Sequence, residues 1–333
     1  MNQTLSMPEI YKKLSQIGLD EDYVRKQGLP SWWEDELEDQ PVAVLEGIGH
    51  IAKRLHVDLS SLLTDEQSAQ FKSSLPQTKF KYHRQQQGAE IPDVSYQLAS
   101  RVAELVADGV TPNYVTIAGA ATHIRQAILQ HHPTITLNSL LDFCWQHGIA
   151  VAHFSDYPKN ARKITGMVQW QGDRPVILLS SNKTHPTWLA FHLAHEIGHL
   201  ALGHVQDGVW VDDEIRQNSD DAEENEANRF AVALLVNHCD GCLKGRNFYN
   251  SKQLIAAIKE ILKSESMVDP CALAFNYAWH SRTNSYGLAQ KAVELMNPSC
   301  DGHEVINQFL AKHLDWDNLS DDNADHLDRI LGD

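Results

Sequence analysis

The chain has 333 residues, 42% hydrophobic and 22% charged, which is enough apolar material for well-filled cores and two or three modules. Its 28 Lys and Arg against 44 Asp and Glu argue against a protein that binds by neutralising phosphates, and no apolar run reaches the roughly 18 residues of a membrane span. Five cysteines are too few for a disulfide framework and the first residues lack a secretory stretch, so a cytoplasmic protein with reduced thiols is expected.

Residues 8–66 read as short helices, with Leu45, Ile48, Ile51, Ala52 and Leu55 at helical spacing. The ending IAKRLHVDLSSLL resembles the last two helices of XRE-type helix-turn-helix domains. Residues 1–65 nevertheless carry twelve acidic side chains against six basic ones (Lys12, Lys13, Arg25, Lys26, Lys53, Arg54), whereas a duplex reader needs a basic footprint. The module is therefore expected to contact protein rather than duplex DNA. A polar segment, KFKYHRQQQGAEIPD (79–93), reads as a linker. Helices are predicted over 94–108, 117–130 and 137–147.

From Gly148 the pattern turns to strands: GIAVAHF, KITGMVQWQ and RPVILLSS, with Gly172-Asp173 supplying the tight turn between the last two. Thr184 can cap the helix that follows, and Pro186 suits its first turn. That helix carries His195-Glu196-Ile197-Gly198-His199, an HExxH. Histidines four apart project from one helical face, so both imidazoles can reach one zinc ion, and the glutamate between them is displaced toward a water rather than the metal. In a chain with 18 histidines the motif gains weight only from its context. Leu189, Leu193, Ile197 and Leu200 form a core stripe, and Leu202 and Val205 stand where a metzincin would need Gly and His. His204 is accordingly read as a helix-end residue and His192 as packing.

A catalytic zinc needs a third protein ligand and one open position. DAEENEANRFAVALL (221–235) is an acidic turn running into an apolar helix with a stripe of Ala227, Phe230, Ala231 and Leu234. Glu224 and Asn228, four apart, put a carboxylate and an amide on one face, the first able to bind zinc and the second to orient a ligand imidazole. The bland alternative is that Glu223, Glu224 and Glu226 only favour the helix dipole. The pair Cys239 and Cys242 reads as incidental thiols. Tyr277, His280 and Arg282 are candidates to reach a cleft, His280 being the candidate oxyanion donor. The acidic tail SDDNADHLDRILGD reads as a solvated helix end.

TWLAFHLAHEIGHLALGH followed by EENEANRFAVALL resembles the ImmA/IrrE family of metallopeptidases, over about residues 135–237. The departure is ALLVN, which lacks the proline that often follows this helix. The resemblance implies a thermolysin-like core with Zn2+, His195 and His199 as ligands, Glu196 as base, Glu224 as third ligand, and regulated cleavage of an XRE-type transcriptional regulator. The expected fold is α+β: a small mixed sheet packed on the HExxH helix, with helical terminal modules. The expected division is 1–66, a degenerate helix-turn-helix module; 67–134, linker and helical segment; 135–245, the peptidase core; and 246–333, a helical region. The alternative function is a non-catalytic zinc-containing regulator or antitoxin-like binding module.

Overall fold

The computed structural model describes residues 6–64, 68–72, 94–212, 219–281, 285–298 and 301–332. The linker read at 79–93 and the candidate Arg282 lie outside these residues. The fold is α+β, and among the described residues many helices surround one four-stranded mixed sheet.

The amino-terminal helices are α1 (Met7–Gln16), α2 (Glu21–Tyr23), α3 (Pro41–Arg54) and α4 (Leu59–Leu63). The Asp58 side chain caps α4 by accepting from the Ser61 backbone N–H at 2.8 Å. The buried face of α3 is Val44, Ile48, Ile51 and Ala52, whereas Leu45 is exposed, so the stripe starts one residue earlier than its spacing suggested. Next come α5 (Val94–Asp108), α6 (Ala121–Leu129) and α7 (Leu137–Gln146).

Three strands follow, β1 (Ala150–His153), β2 (Gly166–Gln171) and β3 (Arg174–Leu179), and then α8 (Pro186–Leu202). After α8 the chain forms β4 (Val209–Asp212), a strand the sequence pattern did not reveal. The order across the sheet is β1-β3-β2-β4, with β1 and β3 parallel and the other two pairings antiparallel. Gly172 sits at φ 64° in the turn between β2 and β3, a conformation a Cβ disfavours.

Side chains alternate across the sheet, which is buried on both faces. Ala150, Ala152, Met167, Val176, Leu178 and Val209 join one core, which includes α5 and the amino-terminal helices. Val151, Val168, Ile177, Leu179 and Trp210 join the other, built on α8. A buried amide, Gln169 Nε2, donates to Ser100 Oγ at 2.8 Å and ties α5 to β2.

The rest of the chain is α9 (Ala222–Val236), α10 (Ser251–Ile261), α11 (Pro270–His280), α12 (Tyr286–Met296), α13 (Gly302–His313) and α14 (Asp321–Gly332). On α13, Asn307 accepts from the His153 backbone N–H at 2.9 Å and donates to its carbonyl at 3.1 Å, covering the β1 edge. α14 departs from the solvated end expected of an acidic tail. His326, Leu327, Ile330 and Leu331 are buried, and Asp322 and Asp325 meet Arg54 of α3. Its spacing of apolar residues outweighs its charge because the carboxylates find a partner.

Candidate metal centre and active site

Pro186 opens α8, and the cap is His185 rather than Thr184: its Nδ1 accepts from the Thr187 backbone N–H at 3.2 Å. Gly203, at φ 76°, ends the helix, and the His204 backbone N–H returns to the His199 carbonyl at 3.0 Å. The core stripe expected of α8 is buried, and so are His195, Glu196 and His199, because the sheet, α7 and α9 surround the helix.

α9 crosses α8 closely at Gly198, where an added Cβ would stand 3.2 Å from Phe230 Cδ1 and 3.3 Å from Ala227 Cα. Ala227, Phe230, Ala231 and Leu234 are buried as the stripe predicts, and Asp221 caps the helix by accepting from the Glu223 N–H at 2.8 Å. This crossing carries Glu224 to the histidines. Its Oε2 lies 3.4 Å from His195 Nε2 and its Oε1 3.5 Å from His199 Nε2. The chain leaves α9 through Asn237 at φ 50°, without the proline absent from ALLVN.

The two imidazoles face one another, Nε2 to Nε2 at 3.0 Å. Each has its other nitrogen engaged: His195 Nδ1 stands 3.2 Å from Asn228 Oδ1, and His199 Nδ1 stands 3.0 Å from His204 Nδ1. His204 Nε2 in turn stands 3.2 Å from Glu226 Oε2. With Nδ1–H of His195 donating to the amide oxygen, and that of His199 donating to His204, both Nε2 lone pairs point into the same space. That arrangement needs a proton or a cation between them, and the donor types suit a transition metal. His204 is thus more than a helix-end residue, since it extends a chain from His199 to Glu226, and Glu226 is engaged there rather than among the converging donors.

A residue that spacing could not reveal completes the cluster. Asp212, the last residue of β4, brings Oδ2 to 3.1 Å from His195 Nε2 and 3.7 Å from His199 Nε2. His195, His199, Asp212 and Glu224 form one buried group able to hold a metal ion. Trp210 Nε1 donates to Asp212 Oδ1 at 2.9 Å. In the register of β2 and β4, Asp212 lies opposite Gly166. Glu196 stands over Gly166, where a Cβ would come within 2.0 Å of its Oε1, so a side chain there would push the Glu196 carboxylate aside. Among the described residues neither oxygen of Glu196 meets a hydrogen-bond partner in good geometry.

Electrostatics follow from this crowding. Burial, reinforced by the charge of Asp212, holds the Glu196 carboxyl well above the usual range. Burial also raises Glu224. Asp212 goes the other way: burial opposes its ionisation, but the hydrogen bond from His195 and the nearby His199 pull it below the usual range. Burial would lower His195, yet Asp212 and Glu224 raise it to about 10.

The remaining candidates lie outside the cluster. His192 packs against Trp188 and Phe191, and burial lowers its pKa to about 3. It lines an aromatic groove of about 630 Å³ with Trp188, Phe191, Phe275, Trp279 and Tyr286. His280 is bound to Asp240 and shares a cavity of about 640 Å³ with Asn228. Tyr277 is buried in the core. His238, Cys239 and Glu265 form a second, partly exposed group, with the Cys239 thiol pushed up to about 12 by burial and by Cys242.

Among the described residues no helix is long and apolar enough to cross a membrane. A search of curated proteins found no match to the chain. A family model, described as the IrrE N-terminal-like domain and classed as a peptidase, matches residues 144–251. The match spans β1 through α9 and so contains all four members of the buried His/Asp/Glu group. The segment that builds this centre therefore matches the IrrE N-terminal-like domain, the peptidase model of the ImmA/IrrE family.

Proposed function

We propose that the protein is a zinc-dependent endopeptidase performing site-specific cleavage, with a helix-turn-helix transcriptional regulator as substrate. The observation that carries the proposal is the convergence of His195 Nε2, His199 Nε2 and the Glu224 carboxylate, with the buried carboxylate of Glu196 beside them. The donors fit zinc: two imidazoles with occupied Nδ1 atoms and a carboxylate are a catalytic zinc set. Bound there, zinc supplies Lewis acidity toward a peptide carbonyl and makes a water molecule more acidic.

The chain's own residues do the rest. Asn228 and His204 hold the two imidazoles with Nε2 facing inward. Glu196 takes the proton of the attacking water at a carboxylate oxygen and returns it to the leaving amine nitrogen. Burial disfavours the charged form of that carboxylate and so makes it a stronger base toward the water's proton. The regulator substrate rests on the family resemblance. That the amino-terminal helices do not bind duplex DNA is supported by Lys53 and Arg54, whose charges are engaged by Asp322 and Asp325 of α14.

A second reading, a zinc-containing regulator that does not cleave, draws support from one observation: Asp212 offers a fourth protein donor. The experiment is metal analysis combined with Glu196→Gln. The full chain is expected to bind one zinc, to lose it when His195 and His199 both become Ala, and to keep it in Glu196→Gln while cleavage of a co-expressed helix-turn-helix regulator stops. Cleavage that persists in Glu196→Gln would remove the peptidase mechanism.

A further inference from the structure

Resting on the zinc reading above, we propose that Asp212 is a built-in fourth ligand that closes the metal centre in the resting protein, so that peptide access requires its displacement. A centre of two imidazoles and Glu224 keeps one position open for water and substrate. The Asp212 carboxylate is aimed at the same two nitrogens: its Oδ2 lies 3.1 Å from His195 Nε2 and 3.7 Å from His199 Nε2, beside the Glu224 oxygens at 3.4 Å and 3.5 Å. Its other oxygen is held by the indole N–H of Trp210, itself buried, which orients the carboxylate as a ligand's partner does. The main chain fixes the same residue, because the Thr165 N–H donates to the Asp212 carbonyl at 2.7 Å.

Burial makes an idle role costly. Asp212 is only 5% exposed and is packed with Glu224 against the two imidazoles, and it lies opposite Gly166, over which Glu196 stands. Asp212 is instead one of four buried donors whose ligand atoms lie close enough together to hold a single metal ion. The element that carries Asp212 is suited to letting go. Among the described residues β4 has four residues, pairs only with β2 and lies at the edge of the sheet, whereas His195 and His199 sit in the buried stretch of a 17-residue helix. Displacement of Asp212 would leave Glu196 and the three other donors in place.

The test uses the full-length protein loaded with Co2+ as a spectroscopic stand-in for zinc, with azide as the probe for an open position. The unsubstituted protein is expected to show a cobalt spectrum that azide does not change. Asp212→Ala and the nearly isosteric Asp212→Asn are expected to bind metal about tenfold or more weaker in chelator competition and to shift their spectra on adding azide. Trp210→Phe, which removes the orienting hydrogen bond but no ligand, is expected to fall between. An azide response in the unsubstituted protein equal to that of Asp212→Asn, or metal affinity unchanged in both Asp212 variants, overturns the proposal. The zinc reading fails separately: it falls if the protein with His195 and His199 both changed to Ala still binds cobalt as before.

Discussion

At the scale of single residues, the informative choice is between Glu224 and Glu226, two carboxylates within one turn of α9. Spacing alone allowed either to approach the histidines or to serve only the helix dipole. The fold gives them different partners, since Glu224 meets both Nε2 atoms while Glu226 meets His204. We expect Glu224→Ala to weaken zinc binding by about a hundredfold or more, as loss of a ligand, and Glu226→Ala by about tenfold or less, as loss of a residue two steps removed. Chelator competition on the two purified variants decides it, and the reverse order would reassign the third ligand. The HExxH pair was legible because one helix sets its geometry. Asp212 was not, because its approach depends on the pairing of β4 with β2, and a four-residue strand flanked by charge carries no periodic signal.

At the scale of elements, the centre depends on how closely α8 and α9 cross. Phe230 and Ala227 rest against Gly198, and the same helix face carries Glu224 and Asn228. Gly198→Ala adds a methyl at 3.2 to 3.3 Å from its neighbours, a tight fit that helix propensity partly offsets, by about 0.5–1 kcal/mol. Gly198→Leu has no such room. It should cost about 1–3 kcal/mol of stability and, by prising α9 away, weaken zinc binding more than Gly198→Ala does. Urea unfolding and chelator competition measure the two effects, and a Leu variant that holds zinc normally would show that the crossing does not set the ligand geometry. Strands β1 to β3 were readable because their apolar runs end in turn residues. The true cap of α8 was missed because a histidine side chain at 185 took the role that Thr184 is better known for.

At the scale of the whole molecule, the first and last helical segments are joined by charge and by one core. Buried Arg54 donates from Nη2 to Asp322 at 2.7 Å and to Asp325 at 2.7 Å, with Asp322 lying 268 positions away in sequence. The apolar core that begins at Met7 runs through α5 and one face of the sheet to Leu331. No local pattern could announce this, since an arginine in an amphipathic helix and aspartates in an acidic tail both look solvated until the fold pairs them.

Beside this bridge lies His326, which carries a prediction about pH. Burial, then the charges of Arg54, Arg101 and Arg329, lower its pKa to about 3, against the opposing pull of Asp322. The unfolded imidazole takes up a proton below about pH 6.5, while the folded one resists until much lower, so its contribution to stability is complete above about 6.5 and is lost as pH falls toward about 3. The slope for one such group is about 1.4 kcal/mol per pH unit at most. Asp322 has the same sign in a lower window: burial raises its pKa, but Arg54 and Lys53 hold it well below its unfolded value of about 3.9, so its contribution is lost only below about pH 4. Urea unfolding of zinc-loaded protein between pH 7 and 5, compared with His326→Gln, isolates the first effect because the pH dependence of the metal ligands is common to both. The variant should lose less stability across that range, whereas Asp322→Asn should change the profile only below about pH 4. Parallel profiles for His326→Gln and the unsubstituted protein from pH 7 to 5 would mean that the folded protein accepts a proton at His326 as easily as the unfolded chain does.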